Sequence, residues 1–111
     1  MLRYNLYLND ILRATSAIEE SMKNKDIEQF EGDRNLVDAT AMRLQIIGES
    51  ISKLPSRFKI NKNVGWEDLR ELRNIISHAY FRINPKILFD VIQNQIPELK
   101  REIQKIKGEV K

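Results

Sequence analysis

The sequence predicts an all-α protein, an up-and-down bundle of four to five helices folded as a single domain over residues 1–111 and assembled as a dimer. Three observations carry that expectation. Apolar residues recur at steps of three and four along most of the chain, and no segment sustains the alternation of a half-buried strand. The four glycines and three prolines fall mostly where one periodic segment ends and the next begins. Met42 and Ile46 project from the side of their helix opposite its core stripe, where a monomer would carry polar residues.

The first helix is expected from about Leu2 to Lys23, with Tyr4, Leu8, Ile11, Thr15, Ile18 and Met22 on one face. Residues 24–32 break the pattern, with room for one short turn around Ile27 and Phe30. Asp33 is a good N-cap for a second long helix. That helix must close by Leu54, because Pro55 disfavours helical geometry at the residue before it. Its inner stripe is Leu36, Val37, Ala41, Leu44, Ile47, Gly48, Ile51 and Leu54. Gly48 costs a helix roughly 1 kcal/mol relative to alanine, which a close helix–helix crossing would repay.

A basic connection with Arg57, Lys59 and Lys62 then leads to a helix from Trp66 to about Phe81. Asn84-Pro85 restarts the chain, since asparagine caps and proline suits the first helical position. Ile87, Leu88, Val91 and Ile92 form the apolar face of that short helix. After another break Pro97 opens a final helix with Ile96, Leu99, Ile103, Ile106 and Val110 at heptad-like spacing, a further reason to expect a partner chain.

Composition narrows the function. There is no cysteine, so disulfides, thiolate metal sites and cysteine nucleophiles are excluded. No apolar run approaches the ~20 residues that span a bilayer, and the opening M-L-R-Y-N-L-Y-L-N-D lacks a signal peptide's apolar stretch. A cytoplasmic protein with no membrane contact is expected. The formal charge of +3 permits contact with a polyanion without requiring it. Part of the excess crowds the last turns at Lys100, Arg101, Lys105, Lys107 and Lys111, where cations also suit a helix C-terminus.

The chemistry concentrates in Arg73-Asn74-Ile75-Ile76-Ser77-His78-Ala79-Tyr80, which holds the only histidine of the chain. At ~100° per residue, Leu69, Leu72, Ile76 and Ala79 face the core, while Arg70, Arg73, Asn74, Ser77, His78 and Phe81 fan across the other side. His78 is therefore not a core histidine. An imidazole can act as general base or acid near neutrality, and an arginine offers fixed charge and paired donors to a phosphorane. Together they suit attack of an RNA 2′-hydroxyl on its own phosphate, with Arg70, Asn74 and Ser77 in support. That reaction needs no metal or cofactor. Glu67, Asp68 and Glu71 alternate with Arg70 as an ion-pairing surface rather than a metal site. Five residues nevertheless put Arg73 and His78 ~140° apart. Either the helix distorts near Ser77, or the site is composite across a two-fold axis that also supplies a second imidazole.

Beyond the motif, Arg43-Leu44-Gln45-Ile46-Ile47-Gly48-Glu49-Ser50 with Leu54-Pro55, then Trp66, Leu72-Arg73-Asn74, His78-Ala79-Tyr80-Phe81 and Ile96-Pro97-Glu98-Leu99 follow in order. The chain resembles the HepT-like branch of the HEPN superfamily, whose signature is arginine, four residues, histidine, one residue and tyrosine. The resemblance covers essentially the whole chain. It implies a dimeric, metal-independent endoribonuclease with Arg73 and His78 as catalytic residues, the toxin of a toxin–antitoxin pair. It further implies a minimal nucleotidyltransferase antitoxin of the MntA-like kind, which transfers AMP onto the motif tyrosine, here Tyr80. Some relatives with this fold serve only as non-catalytic partners of the nucleotidyltransferase, which is the alternative expectation.

Overall fold

The computed structural model describes residues 2–109, and side chains for residues 3–108. Among them are six α-helices and no strand: α1 Leu2–Met22, α2 Ile27–Glu31, α3 Arg34–Ser52, α4 Trp66–Ala79, α5 Pro85–Asn94 and α6 Ile96–Glu109. Two 3-10 turns, Ser56–Phe58 and Tyr80–Arg82, join them. Five of the helices are those the periodicity predicts. The sixth, α2, is the single turn anticipated around Ile27 and Phe30, and a reciprocal cap between Asp26 and Gln29 makes it a helix in its own right.

The boundaries follow local chemistry. Asn24, in the left-handed region at φ 61°, lies just beyond the end of α1. The Asp33 carboxylate accepts from the Leu36 amide at 3.1 Å and starts α3. Asn84 accepts from the Lys86 amide at 2.9 Å, with Pro85 in the first turn of α5. The motif helix is shorter than its expected span. α4 closes at Ala79, and Tyr80-Phe81-Arg82 tighten into the 3-10 turn.

The long helices alternate in direction. Lys53 lies over the Tyr7 ring while Arg43 reaches Ser21, so α1 and α3 run antiparallel. Glu19 with Lys100 and Asn9 with Lys107 set α6 antiparallel to α1. Gln45 with Ser77 and Asp38 with Tyr80 do the same for α3 and α4. The spatial order is therefore α6, α1, α3, α4, with α5 packed beside α6 and α2. Every residue of the predicted α3 stripe is buried, as are Leu8, Ile11, Thr15, Ile18 and Met22 of α1 and Ile96, Leu99, Ile103 and Ile106 of α6. Val110 lies outside the described residues.

Two packing details depart from the expected pattern. Ile87 does not join the inner face of α5 and stands 53% exposed. The basic connection is also more than a solvated loop, since it buries Phe58 and Val64. The Trp66 indole N–H donates to the Asn61 carbonyl at 3.0 Å, and Asn61 Nδ2 donates to the buried Glu102 carboxylate at 2.7 Å. These contacts join residues far apart in sequence, which periodicity cannot report. No helix among the described residues is long and apolar enough to cross a membrane.

Candidate functional site

The α3–α4 crossing sets the position of the motif. Gly48 lies so close to α4 that a Cβ there would meet the Arg73 Cβ at 2.5 Å and the Leu69 carbonyl oxygen at 2.9 Å. The glycine anticipated as a close crossing is one, and the residue it admits is the motif arginine itself.

Three polar contacts run along this crossing. The Arg73 guanidinium pairs with the Glu49 carboxylate. Gln45 Nε2 donates to Ser77 Oγ at 2.8 Å. The Tyr80 hydroxyl donates to Asp38, whose carboxylate also pairs with Arg34 Nε at 3.1 Å. The Arg34 guanidinium in turn lies 5.1 Å from the centre of the Tyr80 ring. Arg73 is the most sheltered cation of the motif, with its side chain 23% exposed and its Nε buried without a hydrogen-bond partner. It lines a groove of about 410 Å³ with Tyr7, Asp10, Gln45, Ile46, Glu49, Ser50, Lys53 and Ser77.

His78, Asn74 and Arg70 lie on the open side of α4. Arg70 pairs with Glu67 one turn earlier, as the alternation of charge suggested. That hydrogen bond, with the charge of Glu67, holds its guanidinium still more firmly protonated than usual. Among the described residues no hydrogen bond joins Asn74 to His78, so the expected brace between them is absent in the single chain. The helix continues through Ser77 and His78 and breaks two residues after Ser77, at Ala79, whose φ of −143° and ψ of 32° are not helical. Arg73 turns inward to α3 while His78 looks out to solvent. The two groups do not converge within one chain.

Tyr80 shares with Arg73 the side of α4 that meets α3, as its phase predicts. Their partners Asp38 and Glu49, however, are eleven residues apart, about 16 Å of helix rise, so the two side chains do not stand together. The sequence reading missed Asp38 and Glu49 as members of the site. Their signal was present, because Asp38, Gln45 and Glu49 follow at steps of seven and four along one edge of the α3 core stripe. Among the described residues, no group of three or more histidine, aspartate or glutamate side chains is placed to hold a metal ion.

With this arrangement in view, the comparisons with known proteins agree with one another. The family described as Ribonuclease HepT-like matches residues 11–106. A Methanocaldococcus jannaschii protein, whose name joins a gamma-glutamylcyclotransferase to a candidate RNase, is 38% identical over 106 residues. That match takes in 95% of this chain but only 48% of the relative, so the chain spans about half of that protein's length. A candidate RNase of Caldanaerobacter subterraneus is 33% identical over 90% of both chains. A candidate ribonuclease HepT of Thermococcus cleftensis is 31% identical over 91% of this chain and 93% of its own. No solved structure matches. The match across residues 11–106, with relatives above 30% identity along nine tenths of the chain, makes this protein a member of the HepT-like ribonuclease family.

Proposed function

We propose that the chain is an endoribonuclease, the toxin of a toxin–antitoxin pair, which cuts RNA by attack of a 2′-hydroxyl on the adjacent phosphate without a metal. Family membership supports the substrate class. The observation that carries the mechanism is an exposed imidazole on the same helix as a sheltered arginine whose position is fixed from two sides, by Glu49 and by Gly48. His78 exchanges the protons of the 2′-hydroxyl and of the leaving 5′-oxygen. Arg73 receives the charge of the phosphorane, and a fixed donor does so without reorganising. Arg70, Asn74 and Ser77 line the approach. In the free chain Glu49 neutralises Arg73, so an incoming phosphate displaces a carboxylate.

The separation of Arg73 from His78 within one chain supports a site completed by a second copy. Met42 and Ile46, 58% and 40% exposed, offer an apolar strip on the neighbouring α3. A two-fold pairing supplies one imidazole as base and the other as acid.

The test is incubation of purified protein with cellular RNA and a chelator, beside Arg73→Ala shown to be folded by circular dichroism. Wild type should cleave, and the variant should be slower by about 10²- to 10³-fold. Activity per chain should fall on dilution as dimers separate. Equal cleavage by both proteins, or none by either, removes the enzyme. Undiminished activity from a sedimenting monomer removes the composite site.

Regulation through Tyr80 belongs to the same reading. In AMP transfer from ATP by a partner nucleotidyltransferase, the Tyr80 oxygen would attack the α-phosphorus, pyrophosphate would leave, and the hydroxyl proton that Asp38 now holds would be lost to a base. The new phosphodiester would set a negative charge against that carboxylate. Repulsion would drive the modified side chain off α3, leaving a bulky nucleotide on the motif helix. Co-expression with the nucleotidyltransferase should add an adenylyl mass to wild type and none to Tyr80→Phe. Equal addition to both, or to neither, means that Tyr80 is not the switch.

A further inference from the structure

Three residues after His78 the chain presents Phe81 to solvent at 91% exposure. An isolated exposed apolar residue is ordinary, but this ring has an aromatic neighbour. It packs against the Tyr80 ring at 5.3 Å between centroids and 59° between planes. Tyr80 is braced from α3 by Arg34 and Asp38. Helix α3 thus supports Tyr80, Tyr80 supports Phe81, and the 3-10 turn carries the exposed Arg82 directly after it. An open aromatic face thus follows the imidazole-bearing residue by three positions and directly precedes an exposed arginine.

We propose that Phe81 is a stacking platform for the nucleobase next to the scissile phosphodiester, and hence that the substrate is unpaired RNA. The proposal rests on the ribonuclease reading above. In-line attack needs the 2′-oxygen, the phosphorus and the 5′-oxygen in one line, a geometry that helical stacking withholds. One nucleotide must therefore be turned out of its stack, and an aromatic face beside the acid–base group restores the stacking that is lost. Every base has a π-face, so the platform demands a base without choosing which. Charge favours RNA over a second copy of the chain as the occupant. Two such ledges brought together would set exposed Arg82 against its equivalent, whereas a phosphate complements it.

The experiment uses full-length His78→Ala, which binds without cutting, with a short labelled oligouridine and with versions carrying one abasic site at each position in turn. Phe81→Ala, Phe81→Leu and Phe81→Trp are made in that background for binding and in wild type for cleavage. Phe81→Ala should raise Kd and KM about ten- to hundredfold, with kcat at saturation within a few-fold of wild type. Phe81→Trp should restore binding, and Phe81→Leu, equally apolar but without a π-face, should not. One abasic position should weaken binding to the Phe81 protein and lose that effect in Phe81→Ala. Unchanged Kd and KM in Phe81→Ala, or rescue by leucine, overturns the platform while leaving the ribonuclease standing. A change of oligomeric mass in Phe81→Ala also overturns it, since the ring then contacts protein. If wild type neither binds nor cuts RNA, the ribonuclease reading falls and the platform with it.

Discussion

His78→Ala should lower RNA cleavage on the order of a thousandfold or more while leaving the fold intact. The side chain lies on the open face of α4 and makes no hydrogen bond among the described residues, so its removal leaves no cavity and no orphaned partner. The size of the loss follows from symmetry. General acid or base catalysis contributes about 10²- to 10⁴-fold, and in the proposed two-fold site one substitution removes the acid and the base together. On the proposed two-fold arrangement the pH–rate profile of wild type should have both a rising and a falling limb, because one imidazole must be neutral and the other protonated. Single-turnover cleavage of a labelled RNA across a pH series reads both. A loss of less than tenfold with the thermal transition unchanged would mean that another group moves the protons. A rate that rises with pH to a plateau would remove the two-imidazole arrangement.

Gly48→Ala should destabilise the protein, although alanine is the better helix former. Propensity alone would stabilise α3 by roughly 1 kcal/mol. Against this, the new methyl group would sit 2.5 Å from the Arg73 Cβ and 2.9 Å from the Leu69 carbonyl oxygen. Neither is the end of a flexible side chain, so α4 as a whole must move. Overpacking of this kind costs about 1–3 kcal/mol, and for a domain of this size each net kcal/mol lowers Tm by roughly 4 °C or more. The sign decides between the two effects, and a melt followed at 222 nm reads it. A raised Tm would mean that the crossing is looser than its distances imply. Because the displaced residue is Arg73, kcat should also fall by more than the folded fraction explains.

The helices were legible in the sequence because burial in a small bundle is periodic. Leu36, Val37, Ala41, Leu44, Ile47, Ile51 and Leu54 are all buried where their spacing puts them. Gly48 announced a close approach, because a helix tolerates glycine poorly without a reason of this kind. Arg73 and Ser77 were separated from the core by their phase, yet the partners of Arg73, Ser77 and Tyr80 on α3 were not visible. Glu49 is 24 residues from Arg73, and Asp38 is 42 from Tyr80. Periodicity says which face of a helix turns inward, but not which polar residue of another helix stands opposite. For the same reason nothing in the spacing marks Glu102 as buried, since its partner Asn61 lies 41 residues away. The 140° between Arg73 and His78 was legible as geometry, and the regular α4 leaves it unrelieved.

The register between α3 and α4 also determines where the gene can tolerate a change of length. Asp38, Gln45 and Glu49 lie within about 40° of one another around α3, and each engages a different residue of the motif segment. One codon inserted or deleted between them would turn the far part of the helix by ~100°. At least one of the three contacts would then be lost, with Gly48 rotated out of the crossing or Asp38 away from Tyr80. The same change among residues 59–63 would displace Asn61 from the Trp66 indole and from buried Glu102, but would leave the register of α3 against α4 untouched. Homologues of this chain should therefore keep the eleven-residue interval within α3 unchanged.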